Sequence, residues 1–182
     1  MAKTCTIKFF KGVDETSVST LMAVIEQKLR EGFERFVLLI STPGGSVYHG
    51  LAAYNFLKGI PAEVITHNFG SVDSIGVVLY CAGTRRYSVP HARFLLHGVQ
   101  ANFAERVSLE EKQLEERLKS LQIDIRNIAR VIAANSGKPE DEVARAMLDR
   151  TTLDPQEAKA WGLVHEIKSE LFPKGGELIS IQ

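Results

Sequence analysis

The chain has 182 residues and a mass of 20.2 kDa, with 45% apolar and 24% charged residues. That is the mix of a soluble globular protein and excludes a disordered chain, a collagen-like fibre and a membrane protein. Lysine and arginine number 22 against 22 aspartates and glutamates, so there is no basic surplus to mark nucleic acid as a partner. The two cysteines, Cys5 and Cys81, are too few for a disulfide framework and point to a reducing compartment. No secretory signal opens the chain, and no apolar run reaches the roughly 18 residues of a membrane span. The expectation is one cytoplasmic domain over residues 1–182, away from membranes and with no cofactor or metal.

Thr6–Phe10 reads as a short strand, and residues 16–30 carry Val18, Leu21, Met22, Ile25 and Leu29 at helical spacing. Phe36–Ser41 is a continuous apolar run, as in a strand covered on both faces. Pro43-Gly44-Gly45 breaks it, and a helix with Val47, Leu51, Tyr54 and Leu57 follows. Val64–Thr66 is the next strand, Val72–Cys81 a buried helix ending at Gly83, and Phe94–His97 another strand. Strands alternating with helices define an α/β chain with a mainly parallel sheet.

Ser108–Asn135 is one long helical pattern, opened by a capping box of Ser108 and Glu111 and closed at Gly137. Its 28 residues would measure about 42 Å, against a diameter near 40 Å for a compact chain of this length. Its own domain cannot cover such a helix throughout, yet Leu118, Leu121, Ile125, Ile128 and Ile132 continue an apolar stripe. A partner subunit is the simplest cover; a loop packed over its end is the alternative. Pro139 fits a first helical turn, with Glu142–Leu148 continuing, and Asp154 caps a helix that Gly162 ends. Leu163–Ile167 can return as a strand, and the tail from Lys174 is expected to be loosely held.

The chemistry lies at strand ends. Ser74 opens a helix after a buried strand, where open α/β sheets place their sites and where backbone N–H groups can hold an oxyanion. Its bland alternative is a capping or packing serine, since the G-x-S-x-G elbow is absent. The Pro43-Gly44-Gly45 turn sits at the same end of the sheet, and its glycines let amides approach a ligand, or serve as an ordinary turn. His97 ends a third strand, as a base or as a structural histidine. Together they supply nucleophile, base and oxyanion donors for acyl transfer.

The same residues carry a resemblance. Ile40-Ser-Thr-Pro-Gly-Gly-Ser-Val47 resembles N-S-P-G-G-S-V, and Gly70-Ser-Val-Asp-Ser-Ile-Gly76 resembles G-x-A-A-S-M-G. Ala82-Gly-Thr84 matches A-G-T, and Val89–His97 resembles L-P-N-S-R-x-M-I-H. Glu157-Ala158 with Trp161-Gly-Leu-Val164 resembles E-A-x-x-Y-G-L-I/V. This ordered series, from about residue 6 to 168, is similar to the Clp protease proteolytic subunit family, serine peptidases of closed degradation chambers. The resemblance implies a ClpP/crotonase-like fold of repeated ββα/βαβ units with a protruding handle helix at about 108–135. It makes Ser74 the nucleophile, His97 the general base, and the amides of Gly45 and Ile75 the oxyanion hole. It also implies heptameric rings stacked as a tetradecamer, an ATP-driven unfoldase as partner, and peptides or unfolded proteins as substrates.

Three departures stand out. The family's third triad member is an aspartate eight residues before the alanine of E-A, where this chain has Arg150. Asp149 is one position away and Asp154 is assigned to a cap, so the choice is Asp149 or no acidic member. Asp73 replaces the small residue before the nucleophile, either against the imidazole or facing solvent. The chain begins almost at its first strand, which leaves out the segment that lines the family's axial pore. Two other functions compete: a noncatalytic ring subunit, and a crotonase-like acyl-CoA enzyme needing no serine nucleophile.

Overall fold

The structure is a computed structural model that describes residues 2–100, 108–172 and 177–181. In chain order the elements are β1 (Thr4–Phe9), α1 (Glu15–Arg30), β2 (Arg35–Thr42), α2 (Val47–Gly59), β3 (Glu63–Asp73) and α3 (Gly76–Tyr80). There follow β4 (Arg85–Ser88), β5 (Arg93–Leu95), α4 (Glu111–Ser136), α5 (Glu140–Leu148), β6 (Thr152–Leu153), α6 (Pro155–Ala160), β7 (Glu166–Ile167) and β8 (Glu177–Ile181).

The described strands form one sheet in the order β6-β5-β3-β2-β1-β8, with β4 beside β3 and β7 beside β4. Every pairing is parallel except β5 with β6. Side chains of β1, β2 and β3, with α1, α2, α3 and the second half of α4, close around one apolar core that includes Phe9, Phe36, Leu38, Ile40, Val72 and Leu79.

The central strand β3 decides where the site lies. Its pairing with β2 slips between Ile40 and Thr42, so that Ile40 faces Asn68 but Thr42 faces Val72. The extra residues around Gly70 bend the strand. Before the bend, Ile65–Asn68 pair with β4; after it, Ser71–Asp73 pair with β5. One strand thus serves two neighbours on the same edge and carries its last residues out towards β5.

That path corrects the sequence reading. Val72 and Asp73 end a strand, and the helix predicted over 72–81 is a five-residue turn of helix, Gly76–Tyr80. A short apolar run has the same composition in a buried strand and in a buried helix, and periodicity could not separate them. The sequence reading passed over β4 and β6, and the strand predicted at Leu163–Ile167 shrinks to Glu166–Ile167. The tail expected to be loose from Lys174 includes β8, which pairs residue for residue with β1. Pro139 is the cap of α5 rather than a member of its first turn. Asp154 caps α6 as expected, accepting from the amides of Gln156 and Glu157 at 2.8 Å.

The long helix is real, with Gly137 closing it in the left-handed conformation, but it starts later than predicted. Its capping box joins Glu110 and Gln113 rather than Ser108 and Glu111. At 26 residues it measures about 39 Å. Its two halves differ. Ile128, Ala129, Ile132 and Ala133 are buried, and Ile125 packs partly on the same core, whereas Leu114 and Leu118 are more than half exposed.

Candidate active site

Three chain segments meet at the end of β3. Ser74 follows the strand directly and takes φ 59°, one of two non-glycine residues with positive φ among those described. The left-handed conformation is unfavourable for serine, and its Oγ is presented at the tip of the turn from β3 into α3. The Ser74 amide is held by the Leu95 carbonyl at 2.8 Å, which ties the turn to β5.

The second segment is Pro43-Gly44-Gly45. Gly44 has φ +89°, and a Cβ there would lie 2.6 Å from Cβ of Ser74. Gly45 has φ +149°, and a Cβ there would run into the Val13 carbonyl oxygen. Only glycine lets this turn close on the serine on one side and on the segment after β1 on the other. Val13 N–H donates to Gly44 O and Ser46 N–H to Val13 O, each at 2.8 Å. That bridge skips the Gly45 amide. Among the described residues neither the Gly45 nor the Ile75 N–H has an acceptor, although Ile75 is fully buried at the cap of α3. Two amide donors without acceptors beside a serine hydroxyl are what an oxyanion hole requires.

The third segment carries His97, two residues beyond the end of β5 rather than in the strand. Its Nδ1 donates to the Gly98 carbonyl at 2.7 Å. A backbone carbonyl on Nδ1 fixes the tautomer and leaves Nε2 with its lone pair, ready to accept a proton. Ser74, Ile75, Gly45 and His97 line one pocket of about 130 Å³, with Gly98, Val99 and Ile128 among its walls. No Ser74–His97 hydrogen bond occurs among the described residues, the looser arrangement common before substrate binds. A wider cleft of about 400 Å³ shares Gly45, Val47, Val99 and Gln100 and runs along α4 to Glu116, Leu121 and Asp124.

The other four histidines are placed elsewhere. His49 shares a hydrogen bond with its helix cap Ser46, and His91 is exposed. His67 is buried and donates to the Lys168 carbonyl at 3.2 Å; burial lowers its pKa to about 4. His165 sits against Arg86.

Asp149 is the exposed C-terminal cap residue of α5 and has no hydrogen bond to His97 among the described residues. Leu96 N–H donates to the Thr151 carbonyl, continuing the β5–β6 pairing. There the extended pairing stops: Arg150 takes φ 54° and Asp149 keeps the helical conformation of the α5 cap, its amide bonded to the Arg145 carbonyl. Asp73 neither meets the imidazole nor faces solvent: it is 7% exposed and paired with Arg93 at 2.9 Å. Sequence reasoning missed Ser71 and Arg93 as its partners, and Ile128 as a wall of the pocket. The first two sit on one face of paired strands, which alternation could reveal once Asp73 is known to end a strand; Ile128 comes from a distant helix and left no local signal.

The Clp protease family model matches residues 1–170. The chain is 33% identical over 138 residues to an "ATP-dependent Clp protease proteolytic subunit 3" of Rhodococcus jostii, covering 73% of this chain and 65% of that protein. It is 30% identical over 165 residues to an "ATP-dependent Clp protease proteolytic subunit" of Bdellovibrio bacteriovorus, covering 89% and 77%. The structure superposes on a ClpP1 mutant from Listeria monocytogenes with a TM-score of 0.82, at 21% identity and covering 91% of each chain, a likeness of fold. None of these relatives favours the acyl-CoA alternative. With its mixed α/β fold and ordered motifs, the chain belongs to the Clp protease family of peptidases.

Proposed function

We propose that the protein is a serine endopeptidase working through an acyl-enzyme, with residues 1–182 acting as one domain. The observation that carries the reading is the convergence on one pocket of a serine at φ 59°, two amides without acceptors and an imidazole whose Nδ1 is already held. Nε2 of His97 takes the proton of Ser74 Oγ as the oxygen attacks the scissile carbonyl carbon. The Gly45 and Ile75 amides receive the oxyanion. The C–N bond breaks, the imidazolium returns its proton to the leaving amine, and water releases the acyl group by the same steps.

For the third position we assign Asp149, the acid one position from Arg150, where the family pattern has its aspartate. A carboxylate there would stabilise the imidazolium beyond what the carbonyl achieves. The substrates are peptides or unfolded proteins, cleaved inside a heptameric ring that stacks as a tetradecamer and works with an ATP-driven unfoldase in the cytoplasm. Support for the assembly comes from Leu114, Leu118 and Ile123, exposed on the first half of α4, and from relatives named as ATP-dependent. Ile125 belongs partly to the domain's own core, so Leu114 and Leu118 are the cleaner probes. Leu114→Glu with Leu118→Glu should reduce the mass seen by light scattering, and a monomer for the unmodified protein would refute the ring.

The direct test is labelling with a fluorophosphonate followed by peptide mass spectrometry. The expected result is one phosphonyl adduct, on Ser74. Absence of an adduct would identify a noncatalytic ring subunit instead.

A further inference from the structure

Asp73 stands immediately before Ser74 but lines neither the pocket of Ser74 and His97 nor the cleft along α4; with Ser71 and Arg93 it lines a separate cleft of about 340 Å³ beside Pro43. Its Oδ1 accepts from Ser71 Oγ at 2.7 Å and its Oδ2 from Arg93 Nη2 at 2.9 Å. Arg93 Nε also donates to Ser71 Oγ at 2.9 Å, so the three side chains close a ring of hydrogen bonds. Ser71 and Asp73 are the last pair on one face of β3, and Arg93 is the residue of β5 directly opposite Ser71. The ring therefore ties together the two strands that lead to Ser74 and to His97, one residue before the first and four before the second. Beyond it, two backbone hydrogen bonds hold Ser74, its N–H to Leu95 O at 2.8 Å and Val77 N–H to its carbonyl at 3.0 Å, and only the first ties the turn to β5.

The Arg93 side chain is 57% exposed, and an ion pair with so open a partner adds little to folding stability. What it fixes is direction. A bidentate guanidinium between a carboxylate and a hydroxyl holds planar geometry that a point charge would not. Ser74 needs that support, because its backbone sits in a conformation serine leaves readily.

We infer that Asp73, Arg93 and Ser71 are positioning residues that hold the Ser74 turn at its working distance from His97. The inference rests on the proposed role of Ser74 and predicts that the two clefts lined by Gly45 and Val47, to which none of the three contributes, are untouched when the ring is broken. A displacement near 1 Å at a reacting atom is enough for a loss of about 100-fold.

The test uses the full-length protein and its Asp73→Ala, Asp73→Asn, Arg93→Ala and Asp73→Ala/Arg93→Ala variants. For Asp73→Ala and Arg93→Ala we expect phosphonylation of Ser74 and kcat on a short peptide to fall by about 10- to 100-fold. KM should stay within about twofold, Asp73→Asn should retain most of the rate, and the double variant should be no worse than the poorer single one. Wild-type rates in both single variants, losses that multiply, or a rise in KM at constant kcat would overturn the inference. Amide hydrogen exchange at Ser74 reads the ring without any catalysis: it should quicken at least about tenfold in Asp73→Ala or, should that variant misfold, in Ser71→Ala. Unchanged exchange would overturn the clasp even in an inactive protein. Failure of the unmodified protein to be labelled, with quickened exchange in the variants, would instead overturn only the peptidase reading.

Discussion

Two histidines in this molecule sit against carbonyls and backbone amides at strand and helix ends, and their surroundings separate them. His165 belongs to the cluster around Arg86, which is 4% exposed. The guanidinium donates to the carbonyls of Leu163 at 2.8 Å, Gly83 at 3.2 Å and Asn135 at 2.6 Å, near the C-terminal ends of α6, α3 and α4. His165 Nδ1 accepts from the Arg86 amide at 3.1 Å, and partial burial followed by the Arg86 charge lowers its pKa. The guanidinium and the carbonyls around it are paired, and the negative ends of three helices balance a buried positive charge. Around His97 the accounting is incomplete: among the described residues two amides have no acceptor, Nε2 has no donor, and a serine holds a conformation it disfavours. A saturated polar cluster holds a fold together, whereas unsaturated donors converging on a pocket are poised for a reacting group.

The comparison breaks most sharply at Ser74. Ser74→Ala should abolish peptide turnover while the melting temperature moves by less than about 3 °C, since the hydroxyl makes no structural hydrogen bond among the described residues. His97→Ala should lower turnover by about 10⁴-fold or more, and His165→Ala should leave it within about threefold. If His165 proves essential and His97 dispensable, the contrast is wrong.

Next comes the imidazole's partner. Asp149→Asn should cost about 10⁴-fold in kcat if a carboxylate stabilises the imidazolium. A silent Asp149→Asn would show that the Gly98 carbonyl suffices, and Arg150→Asp would then raise activity.

In the saturated cluster the effect should be on stability. Arg86→Met removes the donor from several buried carbonyls, each worth about 1–3 kcal/mol when orphaned, so denaturant unfolding should show a loss of at least about 3 kcal/mol. Replacement at little cost would mean that the carbonyls find water.

The smallest effect is a pH dependence. His67 titrates near 4 in the folded protein and near 6.5 when unfolded, so the unfolded chain binds the proton first as the pH falls. Its contribution should be complete above about pH 6.5 and decline between about 6.5 and 4, and His67→Gln should flatten that part of a stability–pH curve. An unchanged slope would place the acid sensitivity elsewhere.

Much of this was legible in the residues. The alternation of β1, α1, β2 and α2, the glycine turn at 43–45, the cap at Asp154 and the long helix follow from local periodicity and from residue types with few conformational options. The motif series also singled out Ser74, His97, Gly45 and Ile75, and the fold brings all four to one pocket. The boundary at Asp73 was not legible, because Val72 and Val77–Leu79 are apolar on every face in either a strand or a helix. Nor was β8, whose order comes from backbone hydrogen bonds to β1, at the other end of the chain.

What the sequence by itself determined is which segments can be strands and helices and which positions can carry chemistry, since these depend on side-chain pattern over a few residues. Only the tertiary structure decided what each polar group meets. The ring of Asp73, Ser71 and Arg93 forms because β3 bends at its bulge and then pairs with β5. The acceptor-free amide of Gly45 results from the way the segment after β1 bridges its neighbours. Both outcomes depend on distant segments coming into register, Ser71 with Arg93 and Val13 with Gly45, and pairing at that distance is set by the packing of the whole sheet rather than by any local run of sequence.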